Sequence, residues 1–508
     1  MQALSPIVNN LESFNFLIYV HSKMKYDWNH RLLSSLPSET AVIPSGDERL
    51  ETYSEDTMFR GSPDAVLIAR DAKEISEVLK YCSLNKIPVT FCGSQTSMTG
   101  ASVPLEGLLI STEALEGVED IYHNKMGDFA VVKPGTVISI LQKVLDDAGF
   151  FYPVAPTSRD MCRIGSNIAT NATGEDSYKY GPVRNYVESI DIILQNGKKK
   201  TLKREAGENP TRERNKAGYY TGWKNPIDLL IGSEGTLAFI ERATLRLLPK
   251  QSPFFSGLIP FKTNRDALRF VIEIAGSGRK VNPRTLELID SGALNMMKTS
   301  RSFPKISDEI GAFLYIKQEY LDEAEMLRFI SRWYDEIINT VGQELADQTL
   351  IALNHEQRED FRLWRHRIPE AANELGRKHW KAGGGKVGSD WWVPMPKLNE
   401  MMEYFYGIAE ASGLPYMGYA HIGAGHPHTN FLARNPAEKE IALDALFKCC
   451  KKAVALGGGV AGEHGIGKIH TDLMSVQHQS AVVEKMKSWK QEYDPRWILG
   501  RGNIFGHL

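Results

Sequence analysis

The stretch CGSQTSMTGASVP, from Cys92 to Pro104, decides the interpretation of the fold. It follows a short run of β-forming residues from Ile87 to Phe91, and Gly93 and Gly100 bracket small hydroxyl side chains. A loop of this composition can present successive backbone N–H groups to a phosphate without obstruction by side chains. Taken alone, a plain turn after a buried strand would explain the loop equally well.

Two further segments rich in small residues favour a nucleotide site. They are RIGSNIATNATGEDSYKYGPVRNY, which begins at Arg163, and the segment from Ile231 to Thr236. Small residues let a flat ligand approach the backbone, while amides and hydroxyls can bond to its ring or phosphate oxygens. Together the three loops predict one dinucleotide cradle. Because no GxGxxG pattern follows a first strand, an NAD-type Rossmann site is disfavoured.

Two glycine-framed clusters near the C-terminus gather histidines and a glutamate: GYAHIGAGHPHTN, from Gly418 to Asn430, and GEHGIGK, from Gly462 to Lys468. Imidazole nitrogen and carboxylate oxygen suit a divalent ion such as Zn²⁺ or Mn²⁺. The predicted metal ligands are His421, His428 and Glu463. On an extended segment the neighbouring His464 would point away from Glu463 and act as a general base. A histidine-rich loop with satisfied hydrogen bonds is the simpler alternative.

Composition restricts the classes of partner. The chain has 508 residues and a net charge of −2, so no broad basic field favours nucleic acid. Its five cysteines lack the CxxC spacing of iron–sulfur or structural zinc sites, and so sparse a set predicts a reducing, cytoplasmic location. No apolar run approaches the about 20 residues of a membrane span, so no transmembrane segment is expected. Peripheral membrane contact stays open.

Hydrophobic periodicity predicts α+β layering in roughly two or three domains. The strand VESIDIILQNG ends in the hairpin signal Asn196-Gly197, and the charged stretch 198–216 after it is interpreted as a solvated loop. After Pro249, amphipathic patterns at Ala267–Ile274 and Leu321–Ile338 predict the helices of a second domain.

From about Ser62 to Asn503 the chain resembles flavoproteins with the vanillyl-alcohol oxidase type of FAD domain. The nearest group comprises D-lactate dehydrogenase, the glycolate oxidase flavin subunit and D-2-hydroxyglutarate dehydrogenase. GSQTSMTGASVP resembles their pyrophosphate loop, GSNIATNATG with KYGPVRNYV their flavin-contacting stretch, and GSEGTLAFI the strand closing the FAD site. The resemblance implies an α+β fold, with a second α+β substrate (cap) domain built on an antiparallel sheet.

The implied domains are an N-terminal extension (1–56) that packs on the FAD domain, the FAD-binding domain (57–250), a cap domain with the metal site (251–475), and a C-terminal segment (476–508) that returns to the FAD domain. FAD should be non-covalent, because the pyrophosphate loop contains no histidine. The implied FAD-binding residues are Gly93, Ser94, Gln95, Thr96, Ser97, Thr99, Gly100, Pro156, Thr157, Gly165, Ser166, Asn167, Ala169, Thr170, Gly174, Tyr180, Gly235, Ile240, Glu463 and Asn503.

The same resemblance assigns roles in catalysis. The pattern HxGxGxxHxN and the family's EHG match the metal ligands and the base already predicted, and Asn430 matches a substrate-contacting position. In LWRHRIPEAANE, Arg365 matches the arginine that binds the substrate carboxylate, and Lys386 matches a lysine that also reaches the substrate. Two positions depart from the pattern: His426 replaces a common asparagine, and Pro369 replaces the threonine of D-2-hydroxyglutarate enzymes.

The implied reaction is FAD-dependent oxidation of a D-2-hydroxy acid, of the D-lactate or D-2-hydroxyglutarate type, to the 2-oxo acid. Metal-assisted deprotonation of the hydroxyl would accompany hydride transfer to the flavin. Electron-transfer flavoprotein, a quinone or a cytochrome would accept the electrons, and a homodimer is the common assembly. Two alternatives are a non-redox flavoenzyme like alkylglycerone-phosphate synthase, and a flavin-binding subunit of a glycolate oxidase-like complex.

Overall fold

A computed structural model describes Leu32 and residues 41–205, 208, 214–276, 281–297 and 307–506. The first sheet has four strands in the order β1-β2-β4-β3, with β2, β4 and β3 parallel and β1 antiparallel to β2. The strands are β1 (Ala41–Ile43), β2 (Ala65–Ile68), β3 (Val89–Cys92) and β4 (Leu108–Ser111).

Helix α1 (Ala72–Asn85) connects β2 to β3 and shows why the local sequence folds as it does. The Asp71 carboxylate caps its first turn, and the buried residues recur at helical spacing. The helix ends where Lys86 adopts a left-handed backbone conformation with φ of 56°. The chain then enters β3, and the loop that begins at Cys92 leaves from its carboxyl end. The predicted helix feeding a strand is confirmed.

The second sheet is antiparallel with strand order β5-β6-β10-β8-β9. Its strands are β5 (Val118–Asn124), β6 (Gly127–Val132), β8 (Val187–Ile193), β9 (Lys199–Lys203) and β10 (Phe239–Arg246). A two-stranded ribbon of β7 (Phe150–Phe151) and β11 (Leu248–Pro249) lies alongside. The helices of this half are α2 (Ile138–Asp147), α3 (Ile164–Ala169), α4 (Ser177–Tyr180) and α5 (Pro226–Leu230).

The charged stretch after the hairpin was partly misinterpreted as a loop. Its beginning forms β9, which pairs antiparallel with β8. An edge strand can keep its lysines in water, and only Leu202 of β9 is buried. Residues 206, 207 and 209–213 of the stretch lie outside the described residues.

The third sheet has seven antiparallel strands in the order β15-β12-β14-β13-β17-β18-β16, as expected for the cap domain. They are β12 (Phe254–Phe261), β13 (Thr285–Ile289), β14 (Ala312–Glu319), β15 (Leu350–Ala352), β16 (Gly385–Gly388), β17 (Tyr416–His421) and β18 (His426–Ala433). Helices of this half are α6 (Asn264–Ala275), α7 (Ser291–Met297), α8 (Glu323–Val341), α9 (Gln343–Ala346), α10 (His355–His379), α11 (Leu398–Ser412), α12 (Pro436–Ala455), α13 (Met474–Gln477) and α14 (Ser480–Tyr493). Both predicted amphipathic helices are present, as α6 and α8.

Short 3₁₀ helices lie at Glu48–Tyr53, Val183–Asn185, Trp380–Ala382, Met395–Lys397, Ile422–Ala424 and Thr471–Leu473. After α14 the chain returns to the first sheet, where Ile498 and Leu499 are buried and Leu499 bridges to Val89. Among the described helices, none has both the length and the apolar character needed to cross a membrane.

Candidate active site

The three small-residue loops meet around one cavity at the carboxyl end of β3. Most of the residues expected to bind FAD line it: Gly93, Ser94, Gln95, Thr96, Ser97, Pro156, Gly165, Ser166, Asn167, Ala169, Thr170, Gly235, Ile240 and Glu463. We call this space the flavin cavity. The grouping depends on tertiary structure, because the loops are about 70 residues apart in the sequence.

The residues of the flavin cavity fit a dinucleotide. A Cβ on Gly93 would lie 2.2 Å from Ser166 Oγ, so the first two loops are in direct contact at this point. None of the hydrogen bonds among the described residues uses the backbone N–H groups of Ser94, Thr96, Ser97 or Met98. Four donors on one loop are available to pyrophosphate oxygens.

Six other expected FAD ligands are not among the described residues that line this cavity. They are Thr99, Gly100, Thr157, Gly174, Tyr180 and Asn503. The Gly100 N–H donates to Asp56, and the Tyr180 hydroxyl donates to Glu319 at 2.5 Å beside a separate cavity. Asn503 connects Lys468 to the carbonyls of Ala101 and Glu234. Their contact with FAD stays a prediction.

The predicted metal ligands converge at the β17–β18 hairpin. His421 ends β17, and the register places His428 of β18 opposite Tyr419. Glu463 Oε2 lies 3.3 Å from His421 Nε2 and 3.1 Å from His428 Nε2, and the three ligand atoms are within 4.8 Å of one another. Two imidazoles and a carboxylate in this arrangement fit a divalent cation such as Zn²⁺ or Mn²⁺.

Glu287 is a carboxylate behind the cluster that the sequence analysis missed. It is fully buried in β13 and accepts a hydrogen bond from His421 Nδ1. Such a contact selects the tautomer that leaves Nε2 free to bind a metal. The available signal was one acid inside the apolar strand sequence TLELI, which places a charge where burial is expected.

The two histidines differ in their proton affinity. Burial lowers the pKa of His421, but Glu287 and Glu463 outweigh it and raise that pKa to about 10. Burial, helped by the neighbouring His426, lowers the pKa of His428 to about 3. His428 is therefore neutral near pH 7, which is the form of imidazole that binds metals.

Asp390, also missed, contacts the predicted general base, His464. Its carboxylate accepts hydrogen bonds from the backbone N–H groups of Glu463 and His464, the latter at 2.8 Å, and lies 3.2 Å from His464 Nδ1. His426 Nε2 contacts the same carboxylate at 2.9 Å, and Asp390, His426 and His428 form a second group whose ligand atoms lie within 4.8 Å of one another. Burial opposes ionisation, but His464 and His426 hold the pKa of Asp390 well below its ordinary value. His464 Nδ1 thus faces the Asp390 carboxylate.

A second, larger cavity of about 850 Å³ adjoins the metal cluster, and we call it the substrate cavity. His428, His464, Lys386 and Asn430 line it. Lys386 Nζ donates to Asn373 at 2.5 Å, and burial lowers the pKa of the lysine to about 8. His464 lines both cavities, so it stands between the flavin side and the substrate side.

Arg365 was expected to bind the substrate carboxylate at the wall of the substrate cavity, but it lies deeper in the protein. It is 2% exposed, its Nε donates to Glu287 at 2.7 Å, and its guanidinium stacks 5.1 Å from the Tyr419 ring centroid. It is not among the described residues that line the substrate cavity, although Tyr419 is. Its Nη1 is buried and has no hydrogen-bond partner among the described residues, so one donor remains for an anion.

Comparison with known proteins agrees with this geometry. Residues 251–504 match the family model described as FAD linked oxidases, C-terminal domain, and residues 63–203 match the FAD binding domain. A D-lactate dehydrogenase of Archaeoglobus fulgidus is 30% identical over 86% of this chain and 90% of its own length. The glycolate oxidase subunit GlcD of Bacillus subtilis is 26% identical over 89% of this chain and 91% of its own. The chain belongs to the FAD-linked oxidase family.

It is an FAD-dependent oxidoreductase, with FAD held in the N-terminal half. Solved structures of low sequence identity share the fold. A 4-ethylphenol oxidase from Gulosibacter chungangensis superposes with a TM-score of 0.68 at 15% identity, covering 95% of this chain and 98% of its own. An alkyldihydroxyacetonephosphate synthase superposes with a TM-score of 0.65 at 16% identity, covering 93% and 84%. Both confirm the vanillyl-alcohol oxidase type of architecture.

Proposed function

We propose that this protein oxidises a D-2-hydroxy acid to the corresponding 2-oxo acid. The observation that carries the proposal is the position of His464, which lines both cavities beside the cluster of His421, His428 and Glu463. The relatives named D-lactate dehydrogenase and glycolate oxidase subunit support this class of substrate.

Each residue has a defined task in this proposal. Lys386 binds the substrate carboxylate with Arg365 Nη1 behind it, and Asn430 contacts the substrate. His464 Nε2 removes the hydroxyl proton, while Asp390 holds the other ring nitrogen. FAD supplies the hydride acceptor. A divalent cation held by His421, His428 and Glu463 would supply Lewis acidity, which lowers the pKa of a hydroxyl oxygen.

Further proposals concern the location, the electron acceptor and the assembly of the protein. We propose a cytoplasmic enzyme, with peripheral attachment to a membrane as the alternative, that passes electrons to electron-transfer flavoprotein, a quinone or a cytochrome. A homodimer is the proposed assembly.

Anaerobic mixing of the flavin-loaded protein with D- and L-2-hydroxy acids tests the reaction. A D-acid should bleach the flavin, its L-enantiomer should not, and a chelator should slow the bleaching. A non-redox flavoenzyme like alkylglycerone-phosphate synthase would leave the flavin oxidised with every acid, which would contradict the proposal. Turnover of the isolated chain with an artificial dye would argue against a non-catalytic subunit.

A further inference from the structure

The substrate cavity is far larger than the acids that the relatives' names suggest. Lactate has six heavy atoms, and even at the about 30 Å³ of one liquid water each, it would fill only about 180 Å³. The cavity measures about 850 Å³, within the about 300–1,000 Å³ of pockets that bury drug-sized ligands. A lactate bound at the catalytic end near His464 would therefore leave most of this volume empty.

Part of the wall beyond the catalytic end is apolar. Leu443, Leu446 and Phe447 line it from helix α12, and Trp380 lines it too. Trp380 packs on Gly385, where a Cβ would come within 3.1 Å of the indole. The absence of a side chain at Gly385 therefore makes room for the ring. Trp380 and Leu443 are 48% and 41% exposed. Large apolar side chains exposed around a concave site gain free energy when an apolar group covers them.

The charges of this wall disfavour a second carboxylate on the substrate. Beyond Lys386, the described cations lining the cavity are Arg60 and Lys439, and Arg60 is paired with Glu51 at 2.6 Å. The acids on the same wall are Glu55, Glu440 and Asp472, together with Asp444, which is paired with Lys448 at 2.6 Å, and Asp56, which accepts backbone hydrogen bonds from Met58, Phe59 and Gly100. A dicarboxylate would therefore bring its far end to a surface with an excess of negative charge.

We propose that the preferred substrate is a 2-hydroxy acid with a long apolar side chain, alkyl or aryl, which lies between α12 and Trp380. This inference rests on the proposed function, because it places the hydroxy-acid end at Lys386 and His464. It distinguishes this chain from an enzyme for lactate, glycolate or 2-hydroxyglutarate.

A homologous series tests the proposal. Anaerobic flavin reduction is measured with D-2-hydroxy acids of increasing alkyl length, from D-lactate to D-2-hydroxydecanoate, and with D-3-phenyllactate. We expect kcat/KM to rise about two- to fourfold per methylene, the upper value corresponding to about 0.8 kcal/mol for each buried CH₂. The kcat/KM for D-2-hydroxypentanoate should exceed that for D-2-hydroxyglutarate, which has the same chain length. The Kd of the matching 2-oxo acids, measured by calorimetry, should fall along the same series.

The outcomes separate the two proposals. If short acids or D-2-hydroxyglutarate bleach the flavin as fast as or faster than the long acids, the side-chain inference is overturned and the proposed function stands. If no 2-hydroxy acid bleaches the flavin and no 2-oxo acid binds, the proposed function itself fails, and this inference fails with it.

A pair of variants on α12 locates the effect. Leu443→Asp should reduce kcat/KM for D-2-hydroxyoctanoate about tenfold and leave that for D-lactate unchanged. Ile441→Asp is the matched control, because Ile441 is similarly exposed, at 45%, and is not among the described lining residues. If Leu443→Asp instead alters only the KM of a quinone acceptor, the wall serves that acceptor and the proposal is overturned.

Discussion

At the residue scale, Asp390 should matter to catalysis although it makes no chemical change itself. Asp390→Asn would replace the carboxylate that accepts from the backbone N–H groups with an amide. It would also weaken the contact with His464 Nδ1. We expect the limiting rate of anaerobic flavin reduction to fall about 10²- to 10⁴-fold, with a small change in KM, because Lys386 still binds the carboxylate. His426→Asn removes the other imidazole contact and should cost much less. Equal losses in both variants would contradict a specific role in holding the base.

Glu287 should control metal affinity from behind His421. Glu287→Gln keeps the shape but removes the negative charge that His421 Nδ1 contacts. We expect divalent-metal affinity to fall about 10- to 100-fold, measured by competition with a chelator. Glu410→Gln, at an exposed position, is the control and should bind metal normally. An unchanged affinity in the Glu287 variant would argue against the proposed ligand set.

At the scale of elements, the close approach of the first two loops should be essential for the flavin. Gly93→Ala adds a methyl group 2.2 Å from Ser166 Oγ and 3.3 Å from Ser166 Cβ, so the Ser166 hydroxyl must rotate and the contact between the loops must loosen slightly. We expect purified Gly93→Ala to contain less flavin than the unaltered protein, measured by absorbance. Gly407→Ala in α11 is the control, because its Cβ would meet nothing within 4 Å, and it should stabilise the helix by about 0.5–1 kcal/mol. Full flavin content in Gly93→Ala would mean that the loops can separate freely.

At the scale of the whole molecule, a buried ion network joins the segment that is predicted to contact the flavin to the seven-stranded sheet. Lys317 of β14 lies 2.6 Å from Glu175 and 3.3 Å from Asp176, and His366 of α10 contacts Glu175 at 2.5 Å. Arg284 lies 2.9 Å from Asp176. Since every one of these groups is buried or nearly so, removing one partner leaves a poorly compensated charge between the two halves.

Glu175→Gln should therefore destabilise the protein in a pH-dependent way. Burial opposes ionisation, but Lys317 and His366 hold the pKa of Glu175 well below its ordinary value of 4.5. The stability from this ionised carboxylate is present above about pH 4.5 and is lost as the pH falls through the lower, folded-state pKa. We expect a loss of about 3 kcal/mol at pH 7, from urea unfolding, which shrinks below pH 4.5.

A surface ion pair provides the comparison for this network. Glu484 and Lys487 are 2.8 Å apart, with Glu484 67% exposed. Glu484→Gln should cost under about 1 kcal/mol at pH 7. A penalty for Glu175→Gln that is no larger, or that stays constant from pH 7 to pH 3, would contradict a buried interdomain role.

Much of the fold and part of the site could be predicted from local signals. Helix caps, apolar spacing and glycine act within a few residues. They predicted the helix Ala72–Asn85, the hairpin at Asn196-Gly197 and the loop after Cys92. The histidine and glutamate clusters were equally visible as dense motifs. Lys199–Lys203 was misinterpreted because lysines on an edge strand look like those of a loop.

Signals that depend on neighbours along the chain predicted the types of element and indicated the residues proposed to bind a dinucleotide and a cation. The carboxylates that contact the predicted metal ligand and the predicted base became visible only in the folded structure. Glu287 meets His421 across 134 residues, and Asp390 meets the backbone of His464 across 74. The tertiary structure also decided the size and apolar character of the substrate cavity. The physical reason is that burial and contact arise where separate strands and helices pack, and no local spacing encodes those distances.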